Sequence, residues 1–222
     1  MAHLFVDLFD RVGDPVPYYT LDDQDENNRL FFHDLNIHGA ADRAARVRIR
    51  RGDEFRRGDH IRLMDRVRRS NTDTISVDPD VTGDVDLNRV IFNNAGFADR
   101  TAAVLIVTNP NQDGGFRLRV KLLDRVGQEF PTLILYNWEF PPRLRFADLN
   151  LFNFADKTAF IQVERGPNFR DGDRIILWDE LKAGTITQTL EPGDFDLNTL
   201  VHSDGNWADK VAAIEFDLQP PV

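Results

Sequence analysis

The sequence predicts an all-β protein of two homologous domains, each a pair of packed antiparallel sheets. Three observations carry that prediction. First, one phrase is written four times: Asp-Leu-Asn, a short gap, then Ala-Asp and an apolar run. It occurs as Asp34-Leu35-Asn36 with Ala41-Asp42, Asp86-Leu87-Asn88 with Ala98-Asp99, Asp148-Leu149-Asn150 with Ala155-Asp156, and Asp196-Leu197-Asn198 with Ala208-Asp209. A self-similar pattern means one structural unit copied. Second, the regular offset runs from the first copy to the third (148 − 34 = 114) and from the second to the fourth (196 − 86 = 110), so the unit that duplicated already held two motifs. Third, apolar residues alternate or run in strand-length segments, and no segment of more than ten residues keeps a clean helical period.

Other residues repeat with the same step. Asp10-Arg11-Val12-Gly13 returns as Asp124-Arg125-Val126-Gly127, and Gly52, Phe55, Gly58 and Asp59 return as Gly166, Phe169, Gly172 and Asp173. Thr74-Ile75 returns as Thr185-Ile186, at a step of 111. The two domains are therefore placed at 1–109 and 115–222, joined by Asn109-Pro110-Asn111-Gln112-Asp113-Gly114-Gly115, whose residues favour turns. A joint this short implies restricted motion between the domains.

Along the chain, residues 19–29 and 85–95 could each hold a helical turn. Arg46-Val47-Arg48-Ile49-Arg50 alternates, placing arginines on one strand face and aliphatics on the other. It belongs to a basic stretch from Arg43 to Arg69 that also holds Arg51, Arg56, Arg57, Arg62, Arg66 and Arg68. The favoured reading is a solvated face, paired with acids of the other domain, over a polyanion-binding patch, because no aromatics are interleaved for stacking on bases. Ala102–Val107 and Arg174–Trp178 are apolar strand-length runs. Leu118–Leu122, Thr132–Tyr136 and Phe160–Glu164 alternate, and a strand at Thr185–Leu190 follows a turn at Gly184.

Composition bounds the function. The 222 residues, 41% of them hydrophobic, suffice for two domains with real cores. With no cysteine there is neither a disulfide framework nor a thiolate metal site or nucleophile. The net charge is −10, shared by both halves, which disfavours nucleic acid and anionic membrane as partners. The N-terminus shows no secretory signal and no apolar run approaches a membrane span, so a cytoplasmic location is expected, with signal-independent export left open.

The segment Phe160–Val163, Gly166, Phe169, Gly172, Ile176-Leu177-Trp178, Thr185–Leu190, Gly193-Asp194-Phe195 and Trp207–Ile214 resembles the βγ-crystallin superfamily. The resemblance implies two Greek-key motifs per domain, four in all, near 34–49, 86–107, 148–163 and 196–216. It also implies a calcium loop at Ala41–Arg46, Ala98–Ala103, Ala155–Phe160 and Ala208–Ala213. In all four, Asp42, Asp99, Asp156 and Asp209 stand at the second position as candidate metal ligands. The first position is Ala throughout, and so is the hydroxyl position: Ala45, Ala102, Ala159 and Ala212. Calcium takes six to eight oxygens, so replacing a hydroxyl by a methyl removes a ligand from each loop. Thr101 and Thr158 sit one residue early, where a strand entry turns them to the opposite face. The fold expected is βγ-crystallin-like with eroded calcium loops. The four aspartates then act first as turn pins, the paired alanines allow close packing, and Asn36, Asn88, Asn150 and Asn198 bridge the loop backbone.

Nothing in the sequence supports an enzyme. No phosphate-cradling loop, nucleophile elbow or paired histidine is present; His3, His33, His38, His60 and His202 lack metal-ligand spacing. Asp22-Asp23-Gln24-Asp25-Glu26 reads as a solvated turn and Arg51-Gly52-Asp53 as a turn signal. Three functions are expected in order. The first is a structural or assembly protein with a protein partner or self-assembly and no cofactor. The second is a calcium-binding protein. The third is a carbohydrate- or partner-binding module using Tyr18, Tyr19, Tyr136 and Trp138 as exposed aromatics, with Tyr136 and Trp138 as its ligand surface.

Overall fold

The computed structural model describes residues 2–24, 32–67, 72–93, 95–140, 146–182 and 185–220, and its regular structure is all β apart from two single 3-10 turns at Asn137–Glu139 and Leu149–Phe152. The N-terminal half supplies β1 (Leu4–Phe9), β2 (Tyr19–Asp22), β3 (Phe32–Asp34), β4 (Arg46–Arg51), β5 (His60–Met64), β6 (Thr74–Val77), β7 (Asp84–Asp86), a small ribbon of β8 (Ile91–Phe92) and β9 (Ala95–Gly96), and β10 (Ala103–Val107). The C-terminal half supplies β11 (Leu118–Leu123), β12 (Leu133–Tyr136), β13 (Phe146–Asp148), β14 (Phe160–Arg165), β15 (Arg174–Trp178), β16 (Thr187–Leu190), β17 (Gly193–Asp196), the ribbon of β18 (Val201–His202) and β19 (Gly205–Asn206), and β20 (Ala213–Asp217).

Four antiparallel sheets result, ordered β2-β1-β4-β7 and β3-β10-β5-β6 in the first half and β12-β11-β14-β17 and β13-β20-β15-β16 in the second. Each half holds two successive quartets of strands, and the third strand of each quartet crosses to the sheet of the other. Thus β7 pairs with β4, and β3 with β10; β17 pairs with β14, and β13 with β20. Neither sheet of a half is complete without the other quartet. Alternation fixes the faces: Val47 and Ile49 are buried between the sheets while Arg46, Arg48 and Arg50 point away.

The strand expectations at 46–50, 102–107, 118–122, 132–136, 160–164, 174–178 and 185–190 match β4, β10, β11, β12, β14, β15 and β16 to within two residues at either end. Among the described residues neither segment holds a helical turn. Residues 19–22 are β2, with 25–29 outside the described residues, and 85–95 holds β7, a turn and the ribbon. The turn expected at Gly184 and the side chains of Arg68 and Arg69 also lie outside the described residues.

The repeated glycines have a visible cause. A Cβ on Gly52 would lie 2.1 Å from the Ala2 carbonyl oxygen, and one on Gly166 would lie 2.1 Å from that of Phe116, so the chain crosses there at backbone contact. Gly58 and Gly172 adopt φ of 92° and 87°, open to glycine and strained for other residues. Next to each sits a fully buried carboxylate. Asp59 accepts the Arg56 and Asn109 backbone N–H groups, both at 2.6 Å, and lies 2.9 Å from His3 Nδ1. Asp173 accepts the Arg170 and Gln219 backbone N–H groups, both at 2.9 Å, and the Arg117 Nε at 2.8 Å. Each carboxylate ties the first strand of its half, the corner and the exit of the last strand to one point.

Candidate functional site

The four repeated phrases form one construction, four times over. In each, the Asp of Asp-Leu-Asn closes an Asx turn. The Oδ1 of Asp34, Asp86, Asp148 and Asp196 accepts the backbone N–H of the Asn two residues on, every time at 2.9 Å. The Asn side-chain amide donates to the same oxygen at 2.8–3.0 Å, so it braces the aspartate and not the backbone, as the sequence had suggested. The Leu of each phrase is fully buried. Its carbonyl accepts from the residue preceding Ala-Asp: Ala40, Phe97, Phe154 or Trp207.

The phrases of one half are reciprocal. The Leu35 N–H donates to the Ala102 carbonyl and that of Leu87 to Ala45, while Leu149 donates to Ala212 and Leu197 to Ala159. The Asp42 N–H donates to the Thr101 carbonyl and that of Asp99 to Ala44, while Asp156 donates to Val211 and Asp209 to Thr158. The alanines at the hydroxyl position are thus spent on both backbone groups, and their small side chains let two turns lie side by side. The turn itself comes from the second aspartate. Asp42, Asp99, Asp156 and Asp209 all adopt the left-handed conformation, with φ of 55–56°, which Asp and Asn tolerate better than other non-glycine residues. They hold the turn by backbone conformation, whereas the Asx turn belongs to the upstream aspartate.

The carboxylates of these four residues are exposed and enter no hydrogen bond or ion pair among the described residues. Burial and the neighbouring Asp209, Asp179 and Glu180 raise the Asp156 pKa, with Lys210 opposing; burial and Asp124 raise that of Asp209. Among the described residues, no group of three or more His, Asp or Glu side chains is arranged to hold a metal ion. Thr101 and Thr158 are fully buried, and neither hydroxyl has a hydrogen-bond partner among the described residues. In the first half, Tyr18 seals the turn pair by donating to the Ala40 carbonyl at 3.0 Å; burial pushes its hydroxyl pKa up to about 12, with Arg43 opposing.

The arginine stripe is neutralised within its own half. Arg50 bonds Asp7 through Nε at 2.8 Å and Arg48 bonds Asp84 at 3.0 Å, which corrects the expectation that acids of the other domain would face it. Burial alone would raise the Asp7 pKa, but the Arg50 guanidinium and the Thr20 hydroxyl hold it below its ordinary value.

The aromatic ligand surface is also corrected. Tyr136 is fully buried and Trp138 half-buried; both lie in the seam between the halves. There the edges β6 and β12 abut, with the Ser76 N–H donating to the Thr132 carbonyl at 2.9 Å. The Tyr136 hydroxyl donates to the fully buried Asp78, while Arg119 donates to the Tyr136 oxygen at 3.1 Å and to Asp78 at 3.3 Å. Arg119 also reaches Glu164, which Lys121 bonds at 2.5 Å. Burial and Asp78 drive the Tyr136 pKa far up, and Arg119 opposes. Further contacts widen the seam: Arg62 to Glu139, Arg89 to Glu129, Asn153 to Asp73, and the Phe92 and Phe154 rings at 5.6 Å. The buried apolar cluster runs through both halves without a break. These seam residues break the repeat: in strand register Asp78, Arg119 and Tyr136 correspond to Glu191, Phe5 and Asp22, and the same register pairs Thr74 with Thr187, correcting the equivalence with Thr185 expected from the sequence. That mismatch was the signal available in the sequence.

No family model matches the chain, and no curated protein matches it in sequence.

Proposed function

We propose that this chain is a non-enzymatic assembly or interaction protein, built as a duplicated βγ-crystallin-like sandwich whose halves are locked into one rigid body. The observation that carries the reading is the division of labour along the repeat. Positions shared by the copies hold backbone: Asx turns, left-handed aspartates and corner carboxylates. Positions where the copies differ include those that weld the seam. A chain that spends both sets on shape offers its surfaces. The exchange of third strands between quartets supports two interlocked Greek keys in each half, at 1–109 and 115–222. The joint supports rigidity, since Asn109 is buried and bonded to Asp59 and to the Arg57 carbonyl.

Light scattering across a range of concentrations, with co-purification from the source extract, tests this. A defined oligomer, or one partner recovered in stoichiometric amount and lost on a surface substitution, supports the reading. A monomer at every concentration with no retained partner overturns it.

Calcium binding is the second reading, favoured by one observation: Asp156 and Asp209 carry raised pKa values in an acidic surrounding. A cation there would relieve the repulsion, and a ligand of the native state raises its melting temperature. A calcium titration of metal-stripped protein that is flat to millimolar concentration removes it. Saturable binding that Asp209→Asn abolishes upholds it. A glycan surface built on Tyr136 loses its ground, because that ring is fully buried.

A further inference from the structure

The seam encloses a feature that neither the assembly reading nor the calcium reading uses. Ile61, Leu63, Val104 and Ile106 point into the core of the first half, so Arg62, Met64 and Leu105 lie on the opposite face of β5 and β10. Over that face folds the 3-10 turn of the second half, bringing Leu151 and Phe152. Between them lies a cavity of about 340 Å³ lined by Phe32, Arg62, Met64, Thr74, Leu105, Leu151 and Phe152. The lining is mostly hydrocarbon and aromatic, and the volume lies in the range of small-molecule sites, which favour junctions between units.

Duplication provides a comparison, since the counterpart face also carries a hollow, of about 460 Å³, beside Phe146 and Trp178. The counterpart face in the second half carries Ile176 for Arg62, Trp178 for Met64 and Glu215 for Leu105. There the Trp178 indole packs edge-on against Phe146 at 5.8 Å and donates to Glu215 at 3.1 Å, so the larger side chain is satisfied by its neighbour. The first half has Met64 in place of the indole and the aliphatic Leu105 in place of the carboxylate, with a guanidinium beside them. Arg62 lies over the Phe152 ring at 4.7 Å and bonds Glu139, yet its Nε is buried with no hydrogen-bond partner among the described residues. That nitrogen is sealed from the cavity, and what Arg62 presents to it is the rest of its guanidinium edge.

We propose that this cavity binds a small, uncharged, mainly apolar molecule bearing one hydrogen-bond acceptor, such as an aromatic ketone or ester. The apolar body replaces water against Phe32, Met64, Leu105 and Phe152, and the acceptor takes an N–H from the guanidinium edge that Arg62 presents to the cavity. Charge is disfavoured on physical grounds. Arg62 and Glu139 already balance each other with side chains 12% and 5% exposed, so a further ion would be buried without a counter-charge.

The test uses the whole chain and the environment-sensitive naphthyl ketone Prodan. A saturable blue-shifted emission is expected. It should be lost in Leu105→Trp, and in the double variant Met64→Trp with Leu105→Glu, which imports the second half's solution. Melting temperatures identify which filled variant remains folded. In competition, acetonaphthone should displace Prodan about ten-fold better than ethylnaphthalene, its analogue without the carbonyl, the worth of one hydrogen bond. Absence of a saturable shift, or a shift undiminished in a folded filled variant, overturns the site. Equal displacement by the two competitors overturns the role given to Arg62.

Discussion

At the residue scale, the left-handed aspartates are the most exacting positions in the chain, because each sets the direction of a turn that a partner turn then bonds. Asp99→Gly should leave stability nearly unchanged, since glycine adopts φ near 56° freely. Asp99→Val should cost about 1–2 kcal/mol or more, the penalty of forcing a β-branched residue into that region. Urea unfolding of the two variants side by side measures the difference, and equal losses would contradict the backbone explanation. Thr101 makes the opposite case. Its hydroxyl is fully buried without a partner among the described residues, so Thr101→Val removes an unsatisfied group at nearly constant shape. It should stabilise by about 1 kcal/mol. A destabilised Thr101→Val would reveal a partner for the hydroxyl, such as an internal water.

At the scale of elements, the halves depend on close crossings and on ion pairs laid along strands. Gly166→Ala would bring a Cβ to 2.1 Å from the Phe116 carbonyl oxygen, a backbone atom that cannot swing aside. We expect a loss of more than about 3 kcal/mol, beyond an ordinary substitution, read as a fall in thermal midpoint; a loss under half of that would mean that the crossing yields easily. Asp7 sits in β1 beneath Arg50 of β4, and its folded pKa lies below the ordinary 3.8. The sign follows from linkage: a depressed carboxylate contributes stability that is whole above its unfolded pKa and is lost as pH falls through the lower folded value. Asp7→Asn should therefore be less stable than the parent at pH 7, with the gap closing at acid pH below 3.8. A gap that is constant with pH would assign the loss to packing.

At the scale of the molecule, the seam decides whether the halves behave as one body. Tyr136→Phe removes the hydroxyl that Asp78 accepts from and should cost about 1–3 kcal/mol. Arg119→Met strands the buried Asp78 carboxylate and should cost about 3–5 kcal/mol. Calorimetry should show a single transition for the parent, separating into two for Arg119→Met as the halves lose their coupling. A parent that already melts in two steps would refute the rigid-body view.

What the sequence determined by itself is the repeated part. Strand periodicity and the two-fold offset were legible because a pattern set by side-chain alternation and local turn chemistry is written in neighbouring residues. Even there Asp42, Asp99, Asp156 and Asp209 hold their turns by left-handed backbone conformation, while the Asx hydrogen bond belongs to the upstream aspartates, a division that only the folded backbone makes. Tertiary structure alone decided the pairing of Arg48 and Arg50 within their own half, the burial of Tyr136 at Asp78, and the cavity between Leu105 and Phe152. Those contacts join residues tens of positions apart, and they occur at places where the two copies no longer agree. The repeat that made the fold readable was silent there, because an interface between two copies requires each to present a different face.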